Sequence, residues 1–442
     1  MQLSQLRQLL ILGLPISAGM LSQSLLSLVD ISMVARLDDP DALAAVGIGS
    51  YASFLAVALI IGLSVGVQTL VARRWGEGKI EHCGRLLGDG LLLALLGGCL
   101  LTTVFWFSSD LIIGTLSNHP DVNAIANPYY DYRILSIVAV GLNFAFRGYW
   151  NGIKQPLTYL KILLVVHLCN FSISYCLIFG HLGFPKLGAP GSGLGTTISL
   201  YIGVFLYILT TWYHQEKPSF TISKQSLHNQ LAILKLATPT SLQQMMVALG
   251  VSTLYWIIGQ LGVAELAVTH AIINITLFII LPGTGMGIAA TTLVSSELGK
   301  GLSHNAYQWG WDTVKVTAPL LALLGLPLVL FPHFILKIFL PSDPSLIELG
   351  TVPLQITGAF AFLQAFTLTI PQSLNGAGDN RRVMVYSIFL QWGIGLPLAL
   401  LAAFVFKFGL IGIWSMQIIE RIIASITYAR RWRNKKWLEH KL

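Results

Sequence analysis

Charge is scarce in this chain of 442 residues: 27 Lys and Arg with 19 Asp and Glu make up only 10% of it, against about 25% for soluble domains. With hydrophobic residues at 54%, that scarcity excludes a soluble globular fold. Cysteine is scarcer still. Cys83, Cys99, Cys169 and Cys176 share no ligand-type spacing with His or acidic residues, so reduced thiols are expected, with no metal site and no cofactor. Strict apolar/polar alternation is absent, which excludes a membrane β-barrel. No pair of deep aspartates, Ser/His pair or His cluster lies within the apolar runs, which argues against an intramembrane enzyme. The net charge of +8 has a simple account in leaflet electrostatics, and no nucleic-acid partner is expected.

What the chain does have is a series of long apolar runs, each near or above the roughly 20 residues that cross a bilayer. Twelve are expected, near 9 to 36, 42 to 72, 84 to 107, 124 to 150, 157 to 180, 188 to 213, 230 to 259, 264 to 295, 307 to 331, 345 to 374, 381 to 405 and 409 to 432. Runs of this length are helices, so the fold class is an all-α integral membrane protein with the lipid bilayer as its solvent. The first run is too long for a cleavable signal and contains Pro15 and Asp30, so it is read as the first span. Basic residues follow every second span: Arg73, Arg74, Lys79 and Arg85, then Lys154 and Lys161, Lys217, Lys224 and Lys235, Arg381 and Arg382, and the tail from Arg430 to Lys436. The alternate loops carry Asp38, Asp39, Asp41, Asp110, Asp121 and Asp343. By the positive-inside rule both termini are cytoplasmic.

An internal repeat organises these spans. Pro15 and Ser17 match Pro239 and Ser241 at a spacing of 224; after a one-residue slip Gly62 matches Gly285, Thr69-Leu70-Val71 matches Thr292-Leu293-Val294, and Gly76 matches Gly299. The spacing of 224 returns at Asn151-Gly152 and Asn375-Gly376. A constant offset over this length marks a duplicated unit, an arrangement frequent in transporters that bind at the repeat interface. The expected division is 1–213 as an N-lobe of six spans, 214–230 as a cytoplasmic linker, and 231–442 as a C-lobe of six spans with a basic tail.

An acid deep in a span costs about 2.5–3.5 kcal/mol on insertion scales and calls for a reason. Asp30 is the clearest case. Gln23 and Ser27 precede it by seven and four positions and share its helical face, a polar stripe suited to a wet cavity. Pro15, fifteen residues earlier, removes a backbone donor and is expected to bend the first span. Asn170 in the fifth span, and Asn143 and Tyr129 in the fourth, are further candidates to line a cavity or meet the Asp30 carboxylate. His167 reads as a packed histidine, Asp89 as structural, and Arg133 as snorkelling outward or pairing with Asp131 or another carboxylate. The second half offers Gln243, Gln244, His270, Asn274 and Gln364, but its acids Glu265, Glu348 and Glu420 are expected near span ends. A driving cation is therefore expected in the first half.

The runs "SLVDISMVARLDDPDALAAVGIGS", "LVARRWGEGK", its repeat "LVSSELGKG" and "LNGAGDNRR" resemble multidrug and toxic compound extrusion (MATE) transporters over nearly the whole chain. The pairing of Pro15 with Asp30 is closest to the DNA-damage-inducible (DinF) branch. This resemblance implies two six-helix bundles forming a V around a central cavity. It implies export of bulky cationic or amphipathic drugs in exchange for protons or sodium, by alternating access. It also implies that Asp30 communicates with Asn170 and Tyr129, and that Gln23 lines the drug chamber. Ser174 stands where many relatives have a further aspartate, and Gln364 where sodium-coupled relatives carry an acid. One carboxylate suits a proton better than sodium, so the resemblance is read as a proton antiporter in which protonated Asp30 and bound drug compete. Substrate contacts are expected at Gln23, Ser27, Asn143 and Asn170. A sodium-coupled antiporter and a flippase for lipid-linked oligosaccharides are the alternatives; the flippase needs cationic charge that the mid-span regions supply sparsely. Short loops suit a bacterial inner membrane, with a monomer as the expected unit.

Overall fold

The computed structural model describes residues 3–213, 226–340 and 343–439, and no strand occurs among them. In chain order, α1 (Leu3–Ala35), α2 (Pro40–Ala58), α3 (Gly62–Gly76), α4 (Ile80–Phe107), α5 (Ser109–Leu116), α6 (Pro120–Leu135), α7 (Ile137–Gly152), α8 (Pro156–Phe179) and α9 (Ala189–Tyr213) precede the expected linker. After it come α10 (Leu227–Gly259), α11 (Val263–Gly299), α12 (Ser303–Leu330), α13 (Pro332–Phe339), α14 (Pro344–Ala359), α15 (Gln364–Ala377), α16 (Asn380–Ile388), α17 (Leu396–Leu400) and α18 (Gly409–Arg433). Two π-helical segments, Phe389–Gly395 and Leu401–Val405, flank α17. Most of the linker expected at 214–230, residues 214–225, lies outside the described residues.

Each of the twelve expected spans coincides with helix, yet among the described residues ten stretches are long and apolar enough to cross a membrane, or eleven if α14 and α15, bent by 45°, form one. The difference lies at 124–150. That span is divided at Ser136 between α6 and α7, of 16 residues each, too short singly for a bilayer core. Pro120, Asp121, Asp131 and Arg133 make α6 the more polar part.

Local chemistry explains the helix ends. Asp39 caps α2, its carboxylate accepting from the amides of Asp41 (3.0 Å) and Ala42 (3.3 Å), with Pro40 at the first helical position. Asp343 caps α14 similarly, accepting from Ser345 N at 2.9 Å with Pro344 next; that bond and the Ser345 hydroxyl hold its carboxyl below the usual range. Two acids of the expected loops thus serve as N-caps. The repeat also shows at helix ends: Gly78 after α3 and Gly301 after α11, 223 residues apart, both take left-handed φ, 73° and 77°, where a side chain is strained. Before each runs an ion pair of opposite polarity, Arg74 to Glu77 at 2.8 Å and Lys300 to Glu297 at 2.6 Å. Burial pushes Glu77 up, but hydrogen bonds from Lys79 and Arg74 and their charges outweigh it and hold the carboxyl below its usual range.

The chain forms two compact units, Gly19–Ser241 and Met1–Ala18 with Leu242–Leu442. Their boundaries fall inside α1 and α10, just past Pro15 and Pro239. In the first unit α3 packs on α4 and α7, α2 on α6, and α9 on α6 and α8. In the second, α11 packs on α12 and α15, and α15 on α18. The duplicated residues make one contact twice. Ser241 Oγ accepts from Gly62 N at 3.0 Å, and a Cβ on Gly62 would collide with Ala237 O and Ser241. Ser17, the counterpart of Ser241, sits against Gly285, the counterpart of Gly62, so closely that a Cβ there would strike its backbone; Ser17 Oγ donates to Pro282 O at 3.0 Å. Asp89, fully buried in α4, accepts from Ser226 N (3.0 Å), Asn229 Nδ2 (3.0 Å) and Gln230 Nε2 (3.2 Å). It acts as the acceptor that the first turn of α10 lacks, the structural role expected of it.

Candidate functional site

Of the residues expected to carry coupling or substrate contacts, all but Pro15 lie in the unit Gly19–Ser241, whereas Gln243, Gln244, His270, Asn274 and Gln364 lie in the other. The latter part of α1 runs in the same direction as α8. Gly19 lies against Tyr159, Leu160 and Leu163, Ser22 Oγ meets His167 Nε2 at 3.1 Å, and Val34 shares a buried cluster with Ile178. Interpolating between the last two contacts sets Asp30 level with Ser174, one turn beyond Asn170. His167 is therefore an interhelical contact; its Nδ1 is buried without a partner.

Gln23 and Ser27 are exposed and Asp30 is half-buried. Ser27 Oγ turns back to Gln23 O at 3.2 Å, leaving the Asp30 carboxylate to other company. Asp30 Oδ1 is buried and accepts no hydrogen bond. Arg133 is the cation whose charge reaches it, with no ion pair between the two, and the Arg133 Nε is itself buried and unpartnered. The sequence reading had Arg133 snorkelling or paired with Asp131 or another carboxylate; Asp131 instead accepts from Ser109 Oγ at 2.7 Å.

Tyr129 is buried with Met33 and Val34 of α1 in one cluster, and its hydroxyl meets Ser50 Oγ at 2.8 Å. Gly49 and Gly193 leave room for its ring. Asn170, buried, donates through Nδ2 to Thr196 Oγ1 (3.0 Å) and Ser199 Oγ (3.4 Å). Its Oδ1 has no partner, nor does the buried Ser174 Oγ, against which Gly195 is packed. Asn143 is committed to helix packing, donating to Ala139 O (2.9 Å) and Leu200 O (3.1 Å). Pro15 is buried inside α1, which continues through it. The structure thus brings the α1 stripe, Tyr129 and Asn170 into one unit, but joins neither Tyr129 nor Asn170 to Asp30 by a hydrogen bond.

On α1 and α8 the buried oxygens without hydrogen-bond partners are Asp30 Oδ1, Asn170 Oδ1 and Ser174 Oγ; others lie elsewhere, among them Tyr130 Oη and Gln364 Oε1. Such groups are rare in folded proteins, and each calls for an explanation, a proton, an ion or a water among them. Arg147 was not anticipated; its Nε donates to Ser64 Oγ at 3.0 Å and its guanidinium lies 4.7 Å over the Phe144 ring. One reading is corrected in the other unit. Glu420, expected near a span end, stands midway along α18, its side chain against Gly395 of the π-helical segment. The expected span 409–432 nearly coincides with α18, so its midpoint already fell at Glu420.

Comparison with known proteins agrees with the fold. The MatE family profile matches residues 15–176 and 239–401, the two copies of the repeat. The probable multidrug resistance protein NorM of Thermotoga maritima is 25% identical over 98% of this chain and 93% of its own length. The multidrug resistance protein PmpM of Pseudomonas aeruginosa is 27% identical over 89% of this chain and 83% of its own. A crystal structure of MATE in complex with MaL6 superposes with a TM-score of 0.90 at 20% identity, covering 97% of this chain and 95% of that one. An all-helical membrane protein with a duplicated half, matched by this profile along both copies, is a transporter and not an enzyme: the chain belongs to the MATE (MatE) family of multidrug efflux transporters.

Proposed function

We propose that this transporter exports cationic or amphipathic organic compounds in exchange for protons, with Asp30 as the coupling residue. The observation that carries this reading is the half-buried Asp30 carboxylate, whose Oδ1 is unpartnered while unfilled oxygens of Asn170 and Ser174 sit on the neighbouring α8. A protonated carboxyl is a donor, and Asn170 Oδ1 is an acceptor waiting for one. An ionised carboxylate, by contrast, attracts an organic cation along the Gln23–Ser27–Asp30 stripe. Proton and drug then compete for one group, and linkage makes loading of either favour release of the other. Tyr129 braces α1 through the cluster with Met33 and Val34 and gives the change on Asp30 something to move. Pro15 is the bend: it lies within one turn of the point where α1 passes from one compact unit to the other, and Pro239 repeats that arrangement in α10. Placement in a bacterial inner membrane with both termini cytoplasmic, function as a monomer, six spans per lobe, and membership of the DNA-damage-inducible branch complete the proposal.

A sodium-coupled cycle is the second reading, favoured by the same unpartnered oxygens, since a hard cation takes several oxygen ligands. Efflux of a fluorescent organic cation from everted vesicles separates the two. The proton reading expects loss of efflux when the proton gradient alone is collapsed and in Asp30→Asn. Dependence on sodium alone moves the reading to sodium, and undiminished efflux by Asp30→Asn removes Asp30 from the mechanism.

A further inference from the structure

The basic end of α18 does more than follow a membrane span. Together with α16 and the segment after α18 it forms an open groove of about 370 Å3, lined by Arg382, Tyr386, Thr427, Arg430, Asn434 and Lys436, with Arg431 at its wall. No acid is among the lining residues. The carboxylate at hand, Asp379, is buried and already engaged: Arg431 Nε and Nη2 donate to its Oδ2 at 2.8 and 2.6 Å, with Arg382 Nε 3.9 Å from Oδ1. Asp379 therefore neutralises the wall arginine and holds it still. Arg430 and Lys436 are exposed, and no ion pair or side-chain hydrogen bond engages them among the described residues.

The position of Lys436 is built. Lys435 takes a left-handed φ of 53°, which reverses the chain beyond α18, and its Nζ lies 4.7 Å over the Tyr307 ring. The turn Lys436–Glu439 then lays Trp437 on Trp432 at 4.2 Å, nearly parallel, and Trp432 stacks in turn on Tyr307. Trp437 Nε1 donates to Trp432 O at 3.0 Å, and both indoles are fully buried. The positive-inside rule asks only for charge near a span end. A folded tail that returns a lysine to a concave site, facing arginines from two helices, exceeds that requirement.

We infer that this groove binds the phosphate group of an anionic membrane lipid. Arg430 and Lys436, which no acid engages among the described residues, Arg382, 3.9 Å from the Asp379 carboxylate, an Asn amide and a Tyr hydroxyl supply donors for phosphate oxygens. The site ends a helix long and apolar enough to cross the membrane, at the level that lipid headgroups occupy, and basic pockets in such places take anionic headgroups. The volume lies at the small end of ligand sites, about 300–1,000 Å3, which suits a headgroup and not a drug.

The test is native mass spectrometry of the full chain in neutral detergent, titrated with dioleoylphosphatidylglycerol or dioleoylphosphatidylcholine, with inorganic phosphate as competitor. Arg430→Gln is expected to weaken phosphatidylglycerol binding about fivefold and Arg430→Gln with Lys436→Gln about 25-fold, from roughly 1 kcal/mol per basic residue. Both residues are exposed, so melting temperature should be unchanged. Arg433→Gln removes the same charge from the same turn but does not line the groove, and is expected to leave affinity within about twofold, well short of one full charge contribution. Equal weakening by Arg433→Gln and Arg430→Gln reduces the effect to diffuse attraction and overturns the site. Binding of inorganic phosphate with no preference for phosphatidylglycerol over phosphatidylcholine keeps an anion site but overturns its assignment to lipid.

Discussion

Replacing Gly62 by alanine tests the duplicated contact where α3 meets α10. The new methyl would collide with Ala237 O and lie 2.7 Å from Ser241 Oγ and 2.8 Å from Ser241 N. Two of these three atoms are backbone, so the neighbour has no rotamer to retreat into. Overpacking of this kind costs about 1–3 kcal/mol. Moving Ser241 away also strands the Gly62 amide, which now donates at 3.0 Å, adding about 1 kcal/mol. Helix propensity returns about 0.5–1 kcal/mol on going from Gly to Ala. The net expectation is a loss of about 1–3.5 kcal/mol, or a melting temperature lower by about 2–14 °C at roughly 2–4 °C per kcal/mol for a body of this size. The assay is thermal unfolding of purified protein in detergent, followed by tryptophan fluorescence. Gly97→Ala is the control, because no atom lies within 4 Å of the added carbon, and it is expected to melt at or slightly above wild type. If Gly62→Ala melts with wild type, or Gly97→Ala falls equally far, the close approach of α3 to α10 is not the reason for the glycine. Gly285→Ala, facing the Ser17 backbone, should behave as Gly62→Ala does.

Other expectations concern polar groups. Asp89→Ala leaves the Ser226 amide and the Asn229 and Gln230 side chains without their acceptor, and hydrogen exchange at the Ser226 amide should accelerate about tenfold or more, from a loss of about 1.5–3 kcal/mol for a bond to a charged group; unchanged exchange there would refute the anchoring role. Glu420→Gln should retain proton-driven efflux if coupling resides at Asp30, while its abolition would show that the second half also carries the driving ion. Tyr129→Phe removes only the bond to Ser50 and should destabilise by about 1 kcal/mol in thermal melts, with efflux largely preserved if the ring, not the hydroxyl, braces α1. The carboxyl of Glu77 is depressed in the folded state, so its contribution is present above the ordinary glutamate range and fades as pH falls through its folded value. Glu77→Gln should accordingly melt below wild type at neutral pH and converge with it in acid; a constant gap across pH would remove the ion pair as cause.

The sequence by itself determined the architecture, because membrane burial leaves a coarse signal that needs no neighbour. Apolar runs of bilayer length, the alternation of basic and acidic loops, and the offset of 223 to 224 residues fixed helices and duplication. Ser17 with Ser241 and Gly62 with Gly285 were legible as matches, though not as partners: only the folded chain revealed that Ser241 meets Gly62 and Ser17 meets Gly285. The same holds for the division of α1 and α10 between compact units, which no local pattern marks, since Pro15 and Pro239 interrupt hydrogen bonding without saying what lies on either side.

At the candidate site, Asp30 stood out because an acid is costly in hydrocarbon whatever surrounds it. Its company did not. Arg133 was open to snorkelling, to Asp131 or to another carboxylate; the fold gives Asp131 to Ser109, while the Arg133 charge reaches Asp30 without an ion pair. Asn170 was identifiable as a polar residue in a span, but the direction of its amide depended on Thr196 and Ser199 arriving on α9. Glu420 was placeable mid-span from the expected limits 409–432, whereas the groove at the basic tail was invisible because it depends on Lys435 reversing the chain and Trp437 stacking on Trp432. One-dimensional pattern reports the cost of placing a group in the membrane. Which group relieves that cost is decided by contacts between residues far apart in sequence, and those exist only in the tertiary structure.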